Sequence, residues 1–140
     1  MNPARQILFR DVCIFDGRHN GLSESSNVLV RDELIEKISP EAIIAEGATI
    51  VEAGDRTLMP GLIDAHVHLD INRDIQDIVL HADRSDLAIR STVVARDMLM
   101  DGWTSVRDVG GSPFGLRRAV DAGLTPGPRI YASGPFISQT

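Results

Sequence analysis

The run from Leu62 to Leu69 is apolar except for Asp64, His66 and His68, and it follows a Pro60-Gly61 turn. This segment constrains the fold more than any other. A nearly continuous apolar run of this length reads as a strand buried on both faces, the habit of parallel sheets flanked by helices. The chain downstream agrees. Positions 87/88, 91/92, 94/95 and 98/99 make one face at helical spacing, with Arg90, Asp97 and Asp101 opposite. Ser85 or Asp86 is expected to cap that helix, and Gly102 suits the position just past its end. A strand is expected over Trp103–Val109, a short helix over Phe114–Ala122, and a third strand over Arg129–Ser133 after Pro126-Gly127-Pro128. Strand, helix, strand, helix, strand is the order of parallel βαβ units with right-handed crossovers. Between the first strand and the long helix, Asp70–Ser85 reads as a polar connection.

Ahead of Pro60 the pattern is one of short strands. Ile7–Phe9 and Val12–Phe15 are β-branched or aromatic runs, stopped by the turn dipeptide Asp16-Gly17. Val28–Val30 and Leu34–Ile38 flank Arg31-Asp32-Glu33 as in a hairpin, although no glycine marks the turn. Ile43-Ile44 and Ala48–Val51 precede a turn at Gly54-Asp55. Close spacing suggests antiparallel strands in a small sheet or sandwich.

Charge and cysteine usage exclude several classes. The net charge is −6 with acids and bases interleaved, which argues against nucleic acid, since phosphate binding needs a clustered basic face. Cys13 is the single cysteine, so no intramolecular disulfide forms. Arg5, Arg10 and Asp11 stand where a signal peptide needs its apolar core. No stretch approaches the roughly 20 apolar residues of a membrane span. A cytoplasmic protein without nucleic-acid or membrane partners is expected.

Side chains two apart on a strand point to one side. Simple alternation therefore groups Leu62, Asp64, His66 and His68 on one face, and Ile63, Ala65, Val67 and Leu69 on the other, against helices. The imidazoles fall at the C-terminal end of the strand, where parallel α/β sheets bind ligands. Two such imidazoles, with Cα atoms about 7 Å apart, can converge on one ion. Zinc, manganese and iron all suit imidazole. A catalytic zinc site needs three protein ligands and an open position, so this pair is not a complete site. Taken alone, histidines at i and i+2 are more often a polar strand end than a metal site; their place in an apolar strand brings the two readings level.

Leu58-Met59-Pro60-Gly61-Leu62-Ile63-Asp64-Ala65-His66-Val67-His68-Leu69 closely resembles the first barrel strand of the amidohydrolase superfamily, Pro-Gly-apolar-apolar-Asp-x-His-x-His. Gly102-Trp103-Thr104-Ser105-Val106-Arg107-Asp108 resembles that family's second strand. Val109-Gly110-Gly111 and Pro126–Gly134 resemble the branch of imidazolonepropionase-like enzymes and metal-dependent Xaa-Pro dipeptidases.

The resemblance implies an α/β fold: residues 1–59 as the N-terminal part of a composite β-sandwich, and 60–140 as strands one to three of a (β/α)8 TIM barrel. It implies metal-dependent hydrolysis of amide or cyclic amide C–N bonds in a small-molecule or dipeptide-like substrate. One or two divalent ions are implied, zinc first, with manganese or iron compatible, and His66 and His68 among the ligands. The remaining ligands and an aspartate that shuttles the proton are expected beyond Thr140, so no catalytic residue is assigned within this chain. A complete barrel takes about 250 residues. The expectation is therefore an N-terminal portion of a longer enzyme, inactive by itself; the alternative is a truncated remnant with weak metal binding.

Other polar residues carry plainer readings. His19 and His81 are expected as solvated loop histidines, and Arg107 and Asp108 as a local ion pair at a strand end. Asp64 suits either orientation of a ligand or a buried structural hydrogen bond. Gly110-Gly111 suggests a flexible loop without phosphate-binding spacing. Cys13 and Trp103 are expected to be buried. Asp70–Ser85 is expected to overhang the site and influence substrate preference.

Overall fold

The structure, a computed structural model, describes residues 5–54, 56–81, 83–135 and 137, with the backbone alone at Val79 and His81. Asp55 of the expected Gly54-Asp55 turn, the side chain of His81 and the terminal Ser138-Gln139-Thr140 lie outside the described residues. The chain divides into two compact units, Met1–Pro60 and Gly61–Thr140.

The first unit holds β1 (Gln6–Ile14), β2 (Ser26–Arg31), β3 (Leu34–Ser39), β4 (Thr49–Glu52) and β5 (Thr57–Leu58). The sheet order is β3-β2-β1-β4, with β5 pairing the far end of β1. Pairing is mixed: β1–β2 and β2–β3 are antiparallel, while β4 and β5 run parallel to β1. The expected antiparallel character thus holds for part of the sheet only. β4 follows β3 by a connection that carries the chain back to the start of β1, and β5 continues beyond β4 along β1 in the same direction.

The two short strands expected near the start form one bulged strand. Leu8 lies opposite Leu29 and Phe9 opposite Val28, and the register then jumps to Val12 opposite Ser26. Asp11 takes φ 53° at the jump. Alternation would send Phe9 and Val12, three residues apart, to opposite faces. The extra residue instead returns Val12 to the side of Phe9, where it is buried against Val28 and Ala53 with Ile14 and Leu58. Leu8 and Leu29 serve the other face with Ile43. Cys13 is half-buried and not part of either cluster's centre. At the β2–β3 turn Asp32 does without glycine at φ 53°. Its N–H donates to the Arg5 carbonyl at 2.8 Å, and its Oδ1 accepts from the Arg5 N–H at 2.9 Å.

The second unit is a parallel sheet of β6 (Leu62–Val67), β7 (Trp103–Asp108) and β8 (Arg129–Ala132), in that order. Between β6 and β7 lie α1 (Ile75–His81) and α2 (Arg84–Met100), and between β7 and β8 lies α3 (Phe114–Asp121). Helix α1 falls in the stretch expected to be a polar connection. It is short and capped at Asp74, whose Oδ1 accepts from the Gln76 N–H at 2.8 Å. Arg73 bridges Asp77 of α1 and Asp86 of α2, at 2.8 and 2.5 Å, so ion pairs hold this segment where apolar periodicity gives no signal.

Helix α2 buries the expected face: Ser91 and Ala95 are covered, and Val94 and Met98 pack on Leu69, Val106 and Ile130. Trp103, Leu116 and Val120 complete that core. The helix starts earlier than expected. Asp83 is the cap, accepting from the Ser85 and Asp86 N–H groups at 2.7 and 3.2 Å. Gly102 follows the last turn at φ 96°, as a residue just past a helix end requires.

Hydrogen bonds from the Ser85 side chain, then from the Asp86 and Ser85 backbones, hold the Asp83 carboxyl below its usual range. A lowered folded value makes the cap's contribution complete above the ordinary value of 3.8 and lost as pH falls through the folded one. Asp83→Ala is expected to fray the first turn of α2 at neutral pH. Acidification below about 4 should do the same in the parent chain and add little in the variant, read as amide protection factors at 86–88.

Candidate metal centre

Residues paired across a sheet share a face. Val106 pairs Asp64 and Ile130, and Asp108 pairs Val67 and Ala132, so these residues look toward the helices. Ser105 pairs Ile63 and Arg129, and Arg107 pairs Tyr131, so these occupy the other, open face. Exposure agrees: Val106 and Ile130 are 1% and 3% exposed, Ile63 and Tyr131 72% and 56%.

Two expectations are corrected here. The first barrel-like strand is not buried on both sides, because α2 and α3 cover only one face of the sheet and β6 is its edge. Nor does alternation run unbroken along it. The register shifts once between Leu62 and Ile63 and again between Asp64 and Val67, where β6 holds one residue more than β7. The bulge returns Val67 to the side of Asp64. Asp64 therefore lies on the helix side, apart from the histidines, and Ile63 lies on the open side.

His66 and His68 flank Val67 and turn away from it. Their rings stand edge to face, with centroids 5.3 Å apart and an interplanar angle of 84°. His66 is exposed and His68 half-buried. Among the described residues no third His, Cys, Asp or Glu completes a metal-binding group with them. The donors present fit part of a divalent-metal site: two imidazoles side by side at the C-terminal end of a parallel strand.

The backbone around His68 is tied on both sides. The Val67 carbonyl accepts from the Val109 N–H at 3.1 Å, and the Leu69 N–H donates to Asp108 Oδ2 at 2.8 Å. Asp108 is fully buried, and its Oδ1 accepts from the Gly110 N–H at 3.2 Å. Burial pushes its carboxyl above the ordinary range against the pull of those two N–H groups; Asp70 nearby pushes it further up, and His68 draws it down. The expected Arg107–Asp108 ion pair does not form, because adjacent strand residues face opposite sides. Arg107 Nε donates instead to the Ala65 carbonyl at 2.9 Å. Asp64 Oδ1 accepts from the His66 N–H at 3.0 Å, so its role is a hydrogen bond within the strand.

Asp70 was not singled out by its sequence context, yet it fastens the loop after β7. Its Oδ2 accepts from the Ser112 N–H at 2.7 Å. Gly111 takes φ 86°, and a Cβ there would overlap the Asp70 carboxylate. The Gly110-Gly111 pair is thus a close approach and not a flexible hinge. The two glycines were the legible signal; their partner 41 positions earlier was not. His19 lies in the first unit, exposed, with Nδ1 2.7 Å from Asp16 Oδ2.

Paired imidazoles thus stand at the C-terminal end of the first parallel strand of an α/β unit. Residues 57–140 match the Amidohydrolase family, and the chain belongs to that family. Its fold is that of solved amidohydrolase structures. One amidohydrolase is 34% identical, with a TM-score of 0.85 over 96% of this chain and 32% of that one. A prolidase complexed with N-methylphosphonate-L-proline is 32% identical, with a TM-score of 0.82 over 92% of this chain and 32% of its own. Ochratoxinase of Aspergillus niger is 34% identical over 86 residues, 59% of this chain but 18% of that protein. The chain thus spans about a third or less of the length of these relatives.

Gly111→Ala is expected to cost about 1–3 kcal/mol in denaturant unfolding, the range for a side chain forced into strained backbone. Adding Asp70→Ala should recover part of the loss, since the overlap is then gone. Asp108→Ala leaves two buried N–H groups without an acceptor, at about 1–3 kcal/mol each. Asp108→Asn, which keeps an acceptor oxygen, should lose markedly less in the same measurement.

Proposed function

We propose that this chain forms the metal-binding N-terminal part of a hydrolase acting on amide or cyclic amide C–N bonds. On this reading residues 1–59 contribute to a composite β-sandwich, and β6, β7 and β8 are the first three strands of a (β/α)8 barrel. The observation that carries it is the edge-to-face His66–His68 pair on the open face of a parallel strand, in a chain of the Amidohydrolase family. His66 and His68 would hold a divalent ion, zinc before manganese or iron. When bound, such an ion supplies Lewis-acid polarisation of a carbonyl and acidification of water.

The rest falls to the chain's own residues. Asp108 and Val109 fix the backbone on either side of His68, so its ring is presented with little freedom. The C-terminal end of the strand places both rings where loops can close over a ligand. A small-molecule or dipeptide-like substrate is supported by relatives such as the prolidase, whose bound ligand contains proline. Among the described residues no helix is long and apolar enough to cross a membrane.

In protein made from the complete gene, metal analysis is expected to find at least one divalent ion per chain. His66→Ala and His68→Ala should lose it and lower kcat/KM on amide substrates by more than the roughly 10–100-fold cost of losing an outer-layer partner. Chelation should abolish turnover reversibly. Full metal content in both variants would sink the assignment.

A further inference from the structure

The peptide group joining Ala65 to His66 lies inside the β6 bulge, where neither residue has a register partner in β7. The bulge interrupts the regular ladder at its carbonyl and N–H. Both are met by charged side chains. Arg107 Nε reaches the carbonyl of Ala65 at 2.9 Å, and Asp64 Oδ1 takes the N–H of His66 at 3.0 Å. A cation at the oxygen and an anion at the hydrogen match the dipole of that peptide, and charge-assisted bonds are stronger than neutral ones.

We propose that Arg107 and Asp64 clamp this one peptide plane and thereby aim the His66 ring; both are positioning residues for a metal ligand. The inference rests on the reading of His66 as that ligand. A peptide unit is rigid and planar, so holding it at both ends fixes where the His66 N and Cα lie. The pairing of Val67 with Asp108 holds the chain on the other side, and the two together fix the backbone rotations at His66 and the direction of its Cβ. Without the clamp, that plane belongs to a bulged stretch of an edge strand where the register with β7 is broken. Arg107 is a firm anchor because β7 is paired on both sides, by β6 and β8. His68 needs no such device, since Val109 and Asp108 already hold its two neighbours.

The test uses protein from the complete gene, stripped of metal and titrated with Co2+. Visible absorption reports affinity and ligand geometry, and hydrogen–deuterium exchange reports the His66 amide. Arg107→Met and Asp64→Ala are expected to weaken Co2+ binding by about 10–100-fold, alter the cobalt spectrum and speed exchange at His66. Asp64→Asn keeps an acceptor oxygen and should recover most of the affinity. Asp83→Ala, which loosens only the start of α2, should bind Co2+ as the parent does. Parent-like cobalt binding in Arg107→Met overturns the proposal, whether or not exchange speeds up. If that variant does not fold, parent-like cobalt binding in Asp64→Ala overturns the proposal instead. A parent protein that takes up no Co2+ overturns the ligand reading instead, and the clamp is then decided by amide exchange alone.

Discussion

The second unit depends on how the end of β6 is fastened to the end of β7. The two strands differ by one residue between Asp64 and Val67, so the ladder is interrupted there and resumes at Val67 and Asp108. Side chains and one further backbone bond secure that end. Asp108 accepts from Leu69, Arg107 donates to Ala65, and the Val109 N–H reaches Val67. Consecutive residues of β7 thus serve opposite faces of the sheet and one purpose. Burying the Asp108 carboxylate carries a desolvation cost. Its two N–H donors offset that cost, and the result is a strand end held at defined points.

This fastening explains how one short segment combines a core and a site. Val67 and Leu69 point into the cluster under α2 and α3, while His66 and His68 point away from it. Packing of the apolar pair fixes where the imidazole pair stands, since they alternate along the same backbone. Asp70 continues the pattern by tying the next turn to the loop at Gly111-Ser112. Close-packed apolar contact on one side thus supplies the rigidity that a ligand site on the other side needs.

Much of this was legible in the sequence. Helix α2 follows its apolar spacing, Gly102 marks its end, and the order of β6, β7 and β8 follows from alternation of strand and helix patterns. The histidine pair stood out because imidazoles interrupt an otherwise apolar run. What stayed hidden is of one physical kind. Bulges at Asp11 and between Asp64 and Val67 leave no compositional mark, yet each reverses the facing of every residue beyond it. That is why Asp64 was grouped with the histidines and why β1 read as two strands. Helix α1 was missed because ion pairs through Arg73, not an apolar stripe, hold it. The bonds of Asp70 and Asp108 join residues 39 to 42 positions apart, and no local pattern announces such partners.

The open face of β6, β7 and β8 follows from the same geometry. Parallel sheets are ordinarily covered on both sides, and here α2 and α3 cover one. The other side presents Ile63, Arg107 and Tyr131 beside the histidines, a mixture too polar for a second helical layer and too apolar for bulk water. Such a mixture suits the inner wall of a barrel, where side chains fill the base and polar groups gather at the mouth. The sequence along β6 has that gradient, with Ile63 deep and His66 and His68 at the C-terminal end. A sheet built to lie flat against solvent would not place its most exposed aliphatic residue, Ile63, and its two imidazoles on the same face in that order.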